Sequence, residues 1–111
     1  MVNYNVAHLD TIFSAISHPI RRQILRFLER GPATVLQVAE PFKVSLPAIS
    51  RHLRLLEEAG LMIRKKKGRE HHCHLNAKPL QEAAEWITHY EQFWGSQLDA
   101  LEEFLDETKN I

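Results

Sequence analysis

One stretch of seventeen residues, from Ser45 to Leu61, restricts the possible folds of this chain more than any other. It carries a start signal, an apolar stripe and a stop signal for a single helix. Ser45 is a favourable N-cap, Pro47 stands in the first turn where a missing N–H costs nothing, and Gly60 ends the helix. The apolar residues recur at i, i+4 and i+7: Ile49, Leu53 and Leu56. One face of this helix is therefore predicted to pack against a core.

The opposite face of this helix has small and hydrogen-bonding side chains at its front, and its acids come only at the far end. The front residues are Ser45, Pro47, Ala48, Ser50, Arg51 and Arg54. Small residues let a helix approach base edges closely, while Ser and Arg reach bases and phosphates. The same pattern also fits an ordinary amphipathic helix with a solvated face. The neighbouring segments have to decide between these two interpretations.

Length and composition indicate one globular domain, residues 1–111, with an adequate but small core. No apolar run approaches the ~18 residues that span a membrane, and the N-terminus has no signal-peptide pattern. A single cysteine, Cys73, cannot form an internal disulfide, which fits a reducing compartment. We therefore expect a cytoplasmic protein that makes no contact with a membrane.

The formal net charge of zero conceals a strong separation of charge along the chain. Residues 43–69 contain eight Lys or Arg against two acids, a local charge of +6. Residues 79–111 contain eight acids against one Lys, a local charge of −7. A basic patch is the usual footprint of a nucleic-acid face. The middle of the chain is therefore predicted to bind double-stranded DNA, and the acidic end is not.

Three helical segments are predicted before Ser45. Helical spacing of apolar residues predicts a first helix over Val6–Ile16 and a second that begins at His18-Pro19. The outer side of the second helix is predicted to carry Arg22, Arg26 and Arg30. Thr34 to Gln37 has the capping-box pattern Thr-x-x-Gln, which predicts a short third helix from Val35 to about Glu40. Together with the Ser45–Leu61 helix it would form a helix-turn-helix over residues 34–59.

Residues 61–75 change to a strand-like pattern and predict a β-hairpin. Gly68 can take the positive φ that a tight turn between the two strands requires. Five of the six residues 64–69 are basic, so the tip is cationic. A hairpin after a helix-turn-helix is a wing, which reaches phosphates or the minor groove; a Lys-rich strand also guards against edge-to-edge aggregation. The predicted wing contacts are Lys65, Lys66, Lys67 and Arg69.

The remaining segment, from about Ala77 to Asp106 with Asn76 as its cap, is predicted to be one long helix. Leu80, Ile87, Trp94 and Leu101 recur every seven residues, as in a helix that packs against another helix. We expect a second copy of the chain to cover this surface. A helix folded back on its own domain and broken near Gly95-Ser96 is the alternative. The predicted dimer interface comprises Leu9, Phe13, Leu80, Ile87, Tyr90, Trp94, Leu98 and Leu101.

This order of elements resembles the ArsR/SmtB family of bacterial winged-helix repressors. The resemblance is carried by HPIRRQILRFL (18–28), SLPAISRHLRLLEEAGL (45–61), KKKGREHHCHL (65–75) and WxxxxxxFWxxxLDxLxxFL (86–105). It implies a mainly α-helical winged helix-turn-helix with a small hairpin and a long C-terminal dimerisation helix. It also implies a homodimeric repressor on an inverted repeat, released by an unidentified signal such as a small-molecule inducer. The family's DNA-contacting positions fall on the front residues and wing residues named above.

The family's two usual metal sites are missing from this sequence. Where thiolate sensors carry Cys-x-Cys, this chain has Thr34-Val35-Leu36-Gln37. Where zinc and nickel sensors carry Asp-x-His on the last helix, it has Ile87 before His89. The chain therefore resembles the branch without metal ligands, and no cofactor is expected. A metal-responsive repressor that uses the wing cluster is an alternative, although alternate strand residues face opposite ways; the cluster comprises His71, His72, Cys73 and His74.

Two other classes of function fit the sequence less well than a DNA-binding repressor. A winged-helix module that binds only proteins would use the apolar last helix, but it would leave the basic wing without a role. An enzyme would need a phosphate-binding glycine loop, a nucleophile elbow or paired acids, and the sequence has none of these. Of the three classes, a DNA-binding regulator fits the sequence best.

Overall fold

A computed structural model describes the backbone of residues 4–109 and the side chains of residues 8–108. These residues form a winged helix-turn-helix, and the predicted fold class is confirmed. The helices are α1 (Tyr4–Ala15), α2 (Pro19–Leu28), α3 (Val35–Ala39), α4 (Leu46–Glu58), α5 (Lys78–Thr88) and α6 (Glu91–Lys109). The strands are β1 (Ala33–Thr34), β2 (Met62–Lys67) and β3 (Glu70–Leu75).

Helix α4 has the N-cap, the C-terminal glycine and the buried apolar stripe that its sequence predicts. Ser45 Oγ accepts a hydrogen bond from the backbone N–H of Ala48 at 3.2 Å, which satisfies one of the orphaned donors of the first turn. Gly60, at φ +76°, takes the left-handed conformation that ends the helix. The predicted apolar stripe is completely buried, with Ile49, Leu53 and Leu56 each at 0% exposure.

Helices α2 and α3 complete the core around α4. His18 caps α2 by accepting from the backbone N–H of Ile20 at 3.1 Å. Both bonds of the predicted capping box are present at α3, between Thr34 and Gln37. The buried core contains side chains of α2, α3, α4, β2 and β3, so α3, the turn of residues 40–45 and α4 are held as a helix-turn-helix.

The predicted hairpin is confirmed, and the structure adds a third strand that the sequence did not reveal. Strands β2 and β3 pair antiparallel, with Lys67 opposite Glu70 and Gly68 at φ +67° in the turn. The two-residue strand β1 pairs with the other edge of β3, which places Ala33 opposite Cys73. This short strand fastens the wing to the start of α3.

The prediction of one helix over residues 77–106 is wrong in its continuity. The segment is two helices, α5 and α6, and the break is at His89–Tyr90, not near Gly95-Ser96. A tight bond from the backbone N–H of Tyr90 to the carbonyl of Ile87 closes α5. The molecule is elongated, 71 × 41 × 22 Å. Among residues 4–109, no helix has both the length and the apolar character needed to cross a membrane.

The predicted cap Asn76 lies one residue before the N-cap position of α5, which is Ala77 and has no side-chain cap of its own. The Asn76 side-chain oxygen still accepts a hydrogen bond from the backbone N–H of Lys78, the first residue of α5, at 3.4 Å. Its amide nitrogen donates to the carbonyl of Gly60 at 2.8 Å. Asn76 therefore ties the end of the wing to the end of α4.

Candidate nucleic-acid interface

The predicted front residues of α4 lie on its outer side, opposite the buried stripe. Ser45, Pro47, Arg51 and Arg54 are exposed, and Ala48 and Ser50 are half-buried. Arg51 and Arg54 carry no ion pair or hydrogen bond to the described residues, so their guanidinium groups are available to an external acceptor. A helix with a rigid apolar base and two such arginines can present bidentate donors to guanine edges or phosphates.

The tip of the wing is exposed and cationic, as predicted. Its exposed cations are Lys65, Lys66, Lys67 and Arg69. Arg64 differs from them, because it is half-buried and its Nε lies 3.5 Å from a carboxylate oxygen of Glu57 on α4. The geometry of this ion pair does not make it a hydrogen bond. Arg64 therefore links the base of the wing to α4, and the other four cations form the free charge of the tip.

The histidine and cysteine residues of β3 do not form a shared site. Cys73 is fully buried in the core, where burial raises the pKa of its thiol, and it faces Arg64 across the strand pair. His72 lies 3.5 Å from a carboxylate oxygen of Glu70, and His71 is exposed. Among the residues whose side chains are described, no group of three or more His, Cys, Asp or Glu could hold a metal ion. The thiolate form that a metal or an oxidant would need is disfavoured in this core.

Behind α4 lies a polar cluster that sequence reasoning missed in part. Arg21 of α2 is 9% exposed and donates to the carbonyl of Ala15 at 2.6 Å and to Nδ1 of His52 at 3.1 Å. The ring of His52 lies 4.5 Å from that of His18. His52 is half-buried and hydrogen-bonded. A signal for Arg21 was present, since it shares the buried spacing of Ile24 and Leu28.

The hydrogen bond from Arg21 fixes the protonation of His52. A guanidinium only donates, so Nδ1 of His52 accepts and its ring proton resides on Nε2. Burial lowers the pKa of His52 below its ordinary value, and the charges of His18, Arg21 and Arg51 lower it further. His52 is therefore neutral around pH 7.

The free energy of unfolding should fall as pH decreases below about 6.5, the ordinary pKa of histidine. The unfolded chain then binds a proton at His52 that the folded chain resists, because the pKa in the fold is lowered. His52→Asn keeps an acceptor for Arg21 but does not titrate, so it should lose less stability. Urea unfolding at about pH 7.5 and about pH 5.5 measures both losses. If the wild type and His52→Asn lost the same free energy of unfolding between the two pH values, the assignment of a neutral His52 would be contradicted.

The predicted dimer-interface residues fall into two groups. Leu9 and Phe13 of α1 are half-buried, and α1 packs on α5 through the rings of Phe13 and Trp86, 5.7 Å apart. Leu80 is also half-buried and packs against the core of its own chain. The other five are exposed: Ile87 (40%), Tyr90 (39%), Trp94 (50%), Leu98 (66%) and Leu101 (53%). Helices α5 and α6 thus carry an exposed apolar surface that the described residues do not cover.

Comparisons with known proteins agree with this architecture. A family model described as a helix-turn-helix domain matches residues 16–64. The transcriptional repressor SdpR of Bacillus subtilis is 37% identical over 82 residues, which cover 74% of this chain and 91% of that protein. A crystal structure of an ArsR family transcriptional regulator superimposes with a TM-score of 0.76 at 35% identity, over 86% of this chain and 98% of the other.

A third protein shares the fold at lower identity. It is the homodimeric winged helix-turn-helix DNA-binding domain of Mb0332 from Mycobacterium bovis, a possible ArsR-family transcriptional regulator. Its solution structure has a TM-score of 0.59 and 22% identity to this chain, and the match covers 80% of this chain and 82% of that one. At this identity the comparison concerns the fold alone.

Proposed function

Since the chain belongs to the ArsR family of winged-helix, DNA-binding transcriptional regulators, we propose that it is a homodimeric repressor of an inverted-repeat operator. Membership of this family makes it a regulator and not an enzyme. The observation that carries the proposal is the pairing of two exposed surfaces on one small fold. One surface is the front of α4 with the cationic wing tip, and the other is the apolar face of α5 and α6.

We assign base reading to α4 and phosphate binding mainly to the wing. Arg51 and Arg54 are exposed and unpaired among the described residues, and Ser50 lies beside them. Ser45, Pro47 and Ala48 are small enough to let the first turn of α4 enter the major groove. Lys65, Lys66, Lys67 and Arg69 supply the positive charge that holds the duplex backbone.

A second copy of this chain is the proposed cover of the apolar surface on α5 and α6. Three of its largest side chains are half or more exposed: Trp86 (50%), Trp94 (50%) and Phe93 (58%). Contiguous apolar surface of this kind usually marks an interface, and a two-fold dimer covers it with an identical surface. The same symmetry would place two α4 helices at half-sites about 34 Å apart, one turn of DNA. The Mb0332 domain, which shares this fold, is homodimeric.

We propose that residues 1–111 act as one domain, with the helix-turn-helix in 34–59, the wing in 61–75 and the dimerisation segment in 77–106. The family relationship and the Lys-rich surface suit a regulator associated with the bacterial nucleoid in the cytoplasm. An unidentified small-molecule inducer, and no metal or cofactor, would release it from DNA.

Selection of bound fragments from genomic DNA tests the function and yields the operator. If each protomer neutralises about four phosphates, log K for the operator should fall with log salt at a slope near −7. Fluorescence anisotropy with a labelled operator between about 50 mM and 200 mM salt measures this slope. Lack of binding to any duplex at the lowest salt concentration would contradict the proposal. It would favour a module that binds proteins through α5 and α6.

A further inference from the structure

Arg21 is a buried positive charge without a carboxylate partner among the described residues. Its Nε and Nη2 donate to the backbone carbonyls of Ala15 and Ser14, at 2.6 and 3.2 Å, and its Nη1 donates to the neutral ring of His52. All three acceptors are uncharged. Asp10 and Glu58 border a second cavity beside Arg21 but form no ion pair with it. An anion closer to the cluster would therefore compensate the charge of Arg21 further.

The two histidines beside Arg21 both have a free donor. Nδ1 of His18 accepts from the backbone N–H of Ile20, and Nδ1 of His52 accepts from Arg21. When either ring is neutral, its proton therefore resides on Nε2. Neither Nε2 has a hydrogen-bond partner among the described residues. The centroids of the two rings lie 4.5 Å apart.

An open cavity of about 540 Å³ lies against this cluster, and its lining residues include no acid. His18, Arg21, Arg51 and His52 line it together with Pro47 and Ala48 of the first turn of α4. The guanidinium charges of Arg21 and Arg51, which disfavour a proton on His52, favour an anion in the cavity. Because Pro47, Ala48 and Arg51 belong to the front of α4, we expect a phosphate of a duplex that this helix contacts to reach the cavity.

We propose that this cavity is a phosphate site, and that it holds one backbone phosphate of the DNA in each half-site. The Nε2–H groups of His18 and His52 donate to the phosphate oxygens, and Arg21 holds His52 in place from behind. Arg51 borders the cavity and adds positive charge to it, while its guanidinium stays with the bases. Two ring donors suit an oxyanion whose charge is spread over several oxygens. The site would anchor the first turn of α4 against the backbone and so fix its register on the bases. This inference rests on the proposed DNA-binding function.

The test replaces single phosphates of the operator with uncharged methylphosphonates, one position at a time. The matched variant is His18→Asn/His52→Asn, because asparagine still caps α2 and still offers an oxygen to Arg21, but it lacks the Nε2–H. We expect one position per half-site at which neutralisation weakens wild-type binding about tenfold, as for a charge-assisted hydrogen bond. The double variant should bind the unmodified operator about tenfold more weakly. A methylphosphonate at that position should not weaken binding of the double variant any further. At phosphates that the wing contacts, a methylphosphonate should weaken binding of the double variant as much as it weakens binding of the wild type.

Identical sensitivity profiles for the two proteins would overturn the phosphate site while leaving the proposed function intact. Loss of all duplex binding by the wild-type protein would overturn both. Inorganic phosphate titrated into the DNA-free protein, followed by the imidazole NMR signals, separates the two sources of a phosphate. Suppose that inorganic phosphate binds saturably and that the double variant has the same methylphosphonate sensitivities as the wild type. The cavity would then be a site for a free anion, and the proposal that it holds a DNA phosphate would be overturned. If the double variant folds poorly, His18→Asn alone is compared with the wild type in the same way.

Discussion

Replacing Arg51 and Arg54 together with alanine is expected to weaken operator binding by about a thousandfold, down to the level of random DNA. Each bidentate contact of an arginine with a base contributes about 1–3 kcal/mol of discrimination, and the dimer would lose four such side chains. Both arginines are exposed and support no packing in the core, so the variant should fold normally. Competition between labelled operator and unlabelled random duplex measures the loss.

Two matched variants separate base reading from loss of charge. Arg26→Ala/Arg30→Ala removes the same charge from the exposed side of α2 and the turn after it, and should leave operator preference near wild type. Lys66→Ala/Lys67→Ala removes it from the wing and should weaken all duplexes to a similar extent, with a shallower salt slope. If the Arg51/Arg54 variant still preferred its operator over random DNA, the assignment of α4 as the recognition helix would be wrong.

Introducing glutamate at Trp94 and Leu101 should convert the dimer to a monomer. Burial of each of these side chains contributes about 1.5–3 kcal/mol, and a two-fold interface loses each contact twice. Dimerisation should therefore weaken by about 6 kcal/mol or more, which is about four powers of ten in the dissociation constant. Sedimentation equilibrium gives this constant directly. Operator affinity should fall with it, because a monomer contacts only one half-site.

The control for this variant adds the same charge to the other face of α6. Ser96 and Ala100 lie with Asp99, Glu102 and Glu103 on its acidic side. Ser96→Glu/Ala100→Glu should therefore remain dimeric and bind the operator. A Trp94→Glu/Leu101→Glu protein that stayed dimeric at micromolar concentration would place the interface elsewhere.

The error in the C-terminal segment follows from the kind of information that a periodic pattern contains. Leu80, Ile87, Trp94 and Leu101 keep one spacing through the break, and neither proline nor glycine occurs at His89–Tyr90. Apolar spacing predicts which residues share a face if the helix is continuous. It does not show whether a continuous helix is more stable than one interrupted by a tight turn.

The sequence by itself determined the elements whose causes lie within a few residues. The caps at Ser45 and Thr34, the stripe of α4 and the turn at Gly68 each depend on neighbours along the chain. The front of α4 and the wing cations follow directly from those elements, because a fixed helix or hairpin decides which side chains face outward.

Only the tertiary structure decided what meets across the chain. The pairing of β1 with β3 joins Ala33 to Cys73, and the bond from Arg21 to His52 spans 31 residues. Packing of α2 against α4 buries a charge that a helix by itself would leave in water, and neutral acceptors and a cavity then surround it. Such contacts depend on the relative positions of whole elements. No local spacing encodes them, because the free energy that stabilises them comes from burial shared among distant segments.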